Sequence, residues 1–253
     1  MSARCLVRSP SSRLADGLVT HVRRTAVDVA LARRQWRGYV DALEARGWST
    51  VEAEPLEHAP DGVFVEDALV MFDDLGVVTR PGAPERRAET VSVAAVLDRL
   101  GIERASLAAP ARLDGGDVLK IGRTAFVGLG GRTDRAGIDA LAALIEPRGW
   151  TVRAVPVTRA LHLKSCVTAL PDGTVVGHPP LVDDPSHFDR FLAVPEPEGA
   201  HAVVLDEGTV LTSASAPRTA TLLRARGLDV VEVGLSEFEK LEGCVTCLSV
   251  RMR

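Results

Sequence analysis

Aromatic side chains are scarce, at 4% of 253 residues. Valine, leucine and alanine must therefore fill most of any core. There are only four cysteines, at positions 5, 166, 244 and 247. That is too few for a disulfide framework in a chain of this length, so reduced thiols are expected. No apolar run approaches the roughly 18 residues of a membrane span. No Lys/Arg-rich block stands out against a net charge of −4, which argues against nucleic acid as a partner. The opening MSARCLVRSPSSRL lacks the apolar region of a secretory leader. The expectation is a soluble cytoplasmic protein with no membrane partner. Apolar residues, at 46%, suffice for a sizeable core. The length suits a single domain over 1–253 if the fold is a barrel or propeller.

A weak internal repeat sets the fold reading. Four segments run helix, glycine, alternating strand: DALEARGWSTVEAEPL, VLDRLGIERASLA, ALIEPRGWTVRAVPV and LLRARGLDVVEVGL. Gly47, Gly101, Gly149 and Gly227 stand where a helix end favours a residue free to take positive φ. Apolar residues recur near a 3.6-residue period, as at Ile138, Leu141, Leu144 and Ile145. The stretch from Gly149 to Gly227 is too long for one unit and is expected to hide a degenerate one around 187–194. Between the helices lie strand–turn–strand pieces: DALVMFDDLGVVTR, GDVLKIGRTAFVGL, CVTALPDGTVVGH and AVVLDEGTVLTS. Three of their turns carry Asp-Leu-Gly, Asp-Gly or Glu-Gly. The final VTCLSVRMR has no hairpin arm after it and can pair with the N-terminal RCLVRSP. Five such units closed in a ring make a pseudo-symmetric α/β propeller without exposed sheet edges. Their loops then converge on the axis, so one site can draw on residues far apart in sequence. VPEPEG, at 194–199, reads as a surface loop.

Several segments could carry chemistry, each with a plainer alternative. Cys247 in GCVTCLSV forms Cys-x-x-Cys with Cys244. A zinc site needs further ligands that are not nearby, and a redox motif would open a helix rather than lie in a C-terminal strand. A buried strand cysteine is the favoured reading of this segment taken alone. His162 in RALHLKSCV enters a strand from a loop, where a structural histidine is common. In LDGGDVLKIG, Asp114 precedes Gly115-Gly116, read as forcing an unusual backbone, and Asp117 opens a strand. A tight turn with capping carboxylates would suffice. In HAPDGVFVEDALV, Asp61, Glu66 and Asp67 crowd an apolar stretch. Adjacent carboxylates inside a strand pattern are costly unless a cation compensates them. A bulge or polar edge is the alternative. A planar, permanently charged guanidinium suits such a pair. Arg86 and Arg132 belong to TRPGAPERRAET and GGRTDRAG, which are either ordinary surface arginines or captors of a carboxylate.

In order along the chain, PSSRLADGL, HAPDGVFVEDALV, TRPGAPERRAET, LDGGDVLKIG, FVGLGGRT, LHLKSCVTAL and EGCVTCLSV resemble the dimethylarginine dimethylaminohydrolases, a family of the pentein (guanidino-group-modifying) superfamily. The resemblance runs from residue 8 to 250. It implies the five-unit α/β propeller, and a cysteine hydrolase that converts N-omega-methylated arginine to citrulline and an amine through a thiouronium on Cys247. It implies no metal and no organic cofactor, although a thiol of this kind can bind inhibitory zinc. The small-molecule guanidine is the implied partner, and a homodimer stays open. By position, the resemblance makes Cys247 the nucleophile, His162 the general acid/base and Asp114 the carboxylate that orients it. Glu66 and Asp67 match guanidinium binders, and Arg86 and Arg132 match groups that hold the amino-acid carboxylate. Asp61 and the main chain at Leu18 match groups near the α-amine, and the Leu241 carbonyl is a further contact. Cys244 falls where the family usually has an aliphatic residue and is read as non-catalytic. GLGGRT departs from the family, which often has a serine and a polar or basic residue before Arg-Thr.

A guanidinium carbon is a poor electrophile, so a thiolate is needed to attack it. A free cysteine is only slightly ionised at neutral pH. Carboxylates near the sulfur oppose ionisation and a bound cation favours it. The thiolate is therefore expected mainly once the substrate is present. Rival readings are deimination of plain arginine, amidino transfer to an amine, and a non-enzymatic binding propeller. The last has no need of Cys247, His162 and Asp114 together.

Overall fold

Glycine stands between helix and strand in each of the four anticipated segments. Gly47, Gly101, Gly149 and Gly227 hold φ of 79°, 65°, 80° and 87°. The following amide then reaches back into the helix. Trp48 N–H donates to Leu43 O, Ile102 to Leu97, Trp150 to Ile145 and Leu228 to Leu223. This closure satisfies orphan carbonyls and turns the chain sharply into the next strand.

The computed structural model describes residues 3–252. The chain runs through β1 (Arg4–Val7), α1 (Val29–Glu44), β2 (Ser49–Glu52), β3 (Leu69–Phe72), β4 (Leu75–Val78), α2 (Glu89–Leu100) and β5 (Glu103–Ser106). It continues through β6 (Val118–Ile121), β7 (Thr124–Leu129), α3 (Arg135–Ile145), β8 (Thr151–Pro156), β9 (Val167–Ala169), β10 (Val175–Gly177) and β11 (Phe191–Ala193). It ends with β12 (Ala202–Val204), β13 (Thr209–Ser213), α4 (Pro217–Ala225), β14 (Asp229–Val233), α5 (Ser236–Glu239) and β15 (Val250–Met252). These strands form five three-stranded sheets. In each, an antiparallel pair is extended by a strand parallel to the middle one. This is the five-unit α/β propeller. The first sheet takes its antiparallel pair from the two chain ends, with Cys5 opposite Arg251, so the ring closes as the sequence anticipates.

Helices bury the face that their period predicts. In α1, Ala32, Trp36, Tyr39, Val40 and Leu43 are buried, and Asp28 caps the N-terminus by accepting from Leu31 N–H. In α3, Ile138, Leu141 and Ile145 pack with Val77, Leu113 and Val127. The fourth unit, expected to be degenerate, has no α-helix. Short 3-10 turns at Pro179–Leu181 and Pro185–His187 replace it before β11. No helix among the described residues is long and apolar enough to cross a membrane.

Local expectations need correction at several points. The first hairpin turns at Asp73, with φ of 54°, while Gly76 lies inside β4. VPEPEG does more than cover the surface, since Glu196 accepts from the Arg218 and Thr219 amides at the start of α4. Glu66 and Asp67 sit in a 3-10 turn, Val65–Ala68, that ends where β3 begins. Asp117 closes a similar turn, Gly115–Asp117, before β6. Cys247 is likewise in a turn, closed by Cys247 N–H donating to Cys244 O at 3.1 Å, and not in β15.

These turns recur at the same point of successive units, just before the first strand. They are laced together. Glu66 N–H donates to Cys247 O at 3.2 Å. Gly116 N–H donates to Asp67 Oδ1 at 3.0 Å, and Leu163 N–H to Asp117 Oδ1 at 2.9 Å. The pseudo-symmetry thus carries side chains from four units to one place.

Candidate active site

His162 precedes the 3-10 turn Leu163–Ser165 with an extended backbone, φ −139°. Its ring lies against Asp114 and Gly116 of the preceding unit. His162 Nε2 lies 2.9 Å from Asp114 Oδ2, and Nδ1 lies 3.8 Å from Asp67 Oδ1. Asp114 is fully buried. Its Oδ1 accepts from Gly82 N–H at 2.7 Å, and Arg132 Nη1 lies 3.7 Å from Oδ2. Burial alone would lower the affinity of His162 for a proton. The surrounding carboxylates of Asp67, Asp114 and Asp117 outweigh it and lift His162 to about 9. The ring is therefore positioned to enter a reaction as a proton donor.

Gly115 and Gly116 are required for space rather than for an unusual φ, since neither has a positive φ. A Cβ on Gly116 would lie 2.6 Å from His162 Nδ1 and 2.7 Å from Asp67 Oδ1. One on Gly115 would strike the Glu66 carbonyl. The absent side chains let the backbone of the third unit pass between the acids and the imidazole.

A cleft of about 320 Å³, open to solvent, is lined by Leu18, Asp61, Phe64, Asp67, Arg86, Arg132, Leu161, His162, Leu241, Glu242, Gly243 and Cys247. It brings together eight of the ten residues singled out in the sequence. Asp114 stands behind His162. Glu66 is the exception. Its oxygens are taken by Lys164 Nζ at 2.5 Å and Thr246 Oγ1 at 2.7 Å, and it borders a separate cavity with Lys120 and Arg251. Arg86 lines the cleft, but its guanidinium is heavily committed. It donates to Asp67 Oδ2 at 2.5 Å, to both oxygens of Glu89, and to the Asp61 and Phe64 carbonyls. Burial would push Asp67 up, but His162 and Arg86 hold it down to about 2. Asp61 accepts from Leu18 N–H at 3.1 Å, and burial raises its carboxyl despite Arg86 and that bond.

Cys247 Sγ lies 3.4 Å from Cys244 Sγ. That contact, burial and the carboxylates of Glu66 and Asp67 all push the Cys247 thiol up. The same contact holds Cys244 down, to about 5. A cation entering beside Asp67 would oppose the carboxylate field on Cys247.

The sequence reading missed three supporting residues. Asp117 is buried, and its two oxygens fix Leu163 N–H and Thr133 Oγ1. Burial raises it to about 6. The sequence marks it as a strand opener or a capping carboxylate of a tight turn, not as a support for the site. Glu89 follows Arg86 by three positions, an ordinary helical ion-pair spacing that could have marked it. Lys164 stands two residues beyond His162. Asp67, Asp114 and His162 offer ligand atoms within 4.8 Å of one another. Arg86 and Arg132 beside these acids oppose a divalent cation, and the acid–imidazole contacts suit proton transfer better than metal binding.

The arginine deiminase family model matches residues 57–200. The N(G),N(G)-dimethylarginine dimethylaminohydrolase of Streptomyces coelicolor is 58% identical over 252 residues, covering 100% of this chain and 98% of that protein. Among solved structures, the Pseudomonas aeruginosa enzyme in complex with citrulline superposes with a TM-score of 0.92 at 29% identity, over 100% of both chains. A dimethylarginine dimethylaminohydrolase adduct with S-methyl-L-thiocitrulline gives the same TM-score, identity and coverage. The chain belongs to the dimethylarginine dimethylaminohydrolase family.

Proposed function

We propose that this chain, as one hydrolase domain over 1–253, converts N-omega-methylated arginine to citrulline and methylamine or dimethylamine. One observation carries the reading: a thiol, an imidazole held by a buried acid, and a carboxylate line a single cleft. Asp67 takes the guanidinium, while the Glu66–Lys164 pair forms a fixed wall behind the nucleophile. Arg132 receives the α-carboxylate, with Arg86 acting chiefly to hold Asp67 in place. Asp61 and the main chain at Leu18 and Leu241 receive the α-amine.

The bound cation offsets the carboxylate field on Cys247 and draws out the thiolate. Sulfur attacks the guanidinium carbon and forms a C–S bond. His162 gives its proton to the departing amine as the C–N bond breaks, leaving a thiouronium on Cys247. Neutral His162 then takes a proton from water, whose oxygen attacks the same carbon. The C–S bond breaks, citrulline leaves, and the thiol is restored. No step calls on a metal or organic cofactor. A reducing cytoplasm suits the four free cysteines.

The test is a citrulline assay with dimethylarginine, monomethylarginine and arginine side by side. Citrulline with matching amine from the methylated substrates supports the reading. Citrulline from plain arginine alone would move the chain to a deiminase. Transfer of the amidino group to an added amine, without citrulline, would make it a transferase.

A further inference from the structure

The reaction above leaves Cys244 unassigned, although its sulfur touches the nucleophile. The two residues bracket a single turn, closed by Cys247 N–H donating to Cys244 O at 3.1 Å. Their sulfurs are 3.4 Å apart, and bonding requires a separation of about 2.05 Å. A turn closed by this bond holds its first and fourth α-carbons within about 7 Å, and a disulfide spans about 4.4–6.8 Å between α-carbons. The other two thiols are differently placed. Burial lifts Cys5 to about 11 and Cys166 to about 12, and neither makes a hydrogen bond to another sulfur among the described residues. Cys247 lines the cleft and Cys244 does not. A small oxidant entering the cleft therefore meets Cys247 first, and the Cys244 sulfur is in contact with it.

We propose that Cys244 is a resolving thiol, and that oxidation of the cleft joins it to Cys247 in a reversible disulfide that switches catalysis off and spares the nucleophile from irreversible damage. The oxidant class is a hydroperoxide. Passage of the proton between the two sulfurs to Cys244 leaves Cys247 as the thiolate. Its sulfur attacks the terminal peroxide oxygen. An S–O bond forms, the O–O bond breaks, and the peroxide's remaining half takes a proton from His162, which lines the same cleft, and leaves as an alcohol, or as water from hydrogen peroxide; His162 is reprotonated from solvent. Cys247 is now a sulfenic acid, oxidised by two electrons. Cys244 sulfur attacks it, the S–S bond forms, the S–O bond breaks, and the hydroxide departs as water with the Cys244 proton. A dithiol reverses the disulfide by exchange. A sulfenic acid without such a neighbour proceeds to sulfinic acid, which a dithiol does not reverse. Bound substrate fills the cleft and delays the oxidation.

The activity readout rests on the function proposed above, whereas the mass readout does not. Both cysteines fall within the tryptic peptide 241–251, so one mass reports their state. In the natural protein treated with hydrogen peroxide, this peptide should lose two hydrogens, and dithiothreitol should restore both the mass and the citrulline activity. In Cys244→Ala and Cys244→Ser, the same treatment should add two or three oxygens at Cys247. The fraction of each variant's own starting activity that dithiothreitol recovers should be about tenfold lower than in the natural protein. Equal oxygen addition at Cys247 in all three proteins, with no loss of hydrogens in the natural one, overturns the proposal. If citrulline activity is absent before any peroxide is added, the functional reading fails, and the peptide mass still decides the disulfide.

Discussion

Asp114 Oδ2 and His162 Nε2 meet at 2.9 Å in a region closed to solvent. The imidazole is held at one nitrogen by this acid, while the other nitrogen faces Asp67 and the cleft. Asp114→Asn keeps the shape and removes the charge, so it disturbs the donor more than the binding of substrate. We expect kcat to fall about 10²–10⁴-fold, the usual worth of a positioned acid–base group, with KM changed only a few-fold. A kcat within twofold of the natural enzyme would detach Asp114 from the chemistry.

The same carboxylates tie His162 to pH. Its proton affinity is raised from the ordinary 6.5 to about 9 on folding. The resulting stability is fully present below pH 6.5 and is lost as pH rises through 9. Relative to His162→Asn, the natural protein should lose on the order of 3 kcal/mol of unfolding free energy across that window. Denaturant titrations of both proteins at intervals from pH 6 to 10 provide the measurement. Parallel curves would show that the ring is not charged in the folded protein.

Lys164 and Glu66 form a largely shielded pair, with side chains 12% and 6% exposed. Removing the lysine leaves a buried carboxylate whose remaining side-chain partner is Thr246. Lys164→Met should cost about 3–5 kcal/mol, and adding Glu66→Gln should recover more than half of it. Chemical unfolding of both single variants and the double variant closes the cycle. Strict additivity would deny the coupling.

Arg86 and Arg132 should respond differently to substitution by alanine. Arg86 donates to Asp67, Glu89 and two carbonyls, so its loss should lower stability as well as turnover. Arg132→Ala should mainly raise KM, about tenfold or more, for substrates that carry an α-carboxylate, since a desolvated charged hydrogen bond is worth about 1.5–3 kcal/mol. A substrate analogue without that carboxylate should show little change. Equal losses for both substrates would remove Arg132 from carboxylate capture.

The repeat was legible because its signal is local. A glycine after an amphipathic helix reports a backbone angle, and Gly47, Gly101, Gly149 and Gly227 all adopt it. The chain closure was legible because VTCLSVRMR lacked a hairpin partner. The placement of Glu66 was not, because two adjacent acids in a 3-10 turn face different surroundings. Asp67 turns to the cleft, and Glu66 turns to Lys164 from another unit. Sequence adjacency cannot separate them. Gly115 and Gly116 misled for a related reason. Glycine serves either an unusual φ or a close approach, and only the positions of His162, Asp67 and the Glu66 carbonyl reveal which. Asp117 acts by holding other site residues, so no pattern of its own gives it away, and Glu89 carries only the three-residue spacing from Arg86 as a signal.

Covalent capture at sulfur tests the central claim most directly. A thiocitrulline S-methyl ether carries a leaving group that departs without a proton, so His162→Gly should still allow the attack and then stall before hydrolysis. Mass spectrometry of peptide 241–251 should find one amidino adduct, located on Cys247 and absent from Cys247→Ser. An unmodified Cys247, or an adduct on Cys244, in a preparation whose natural counterpart still releases citrulline would contradict the account.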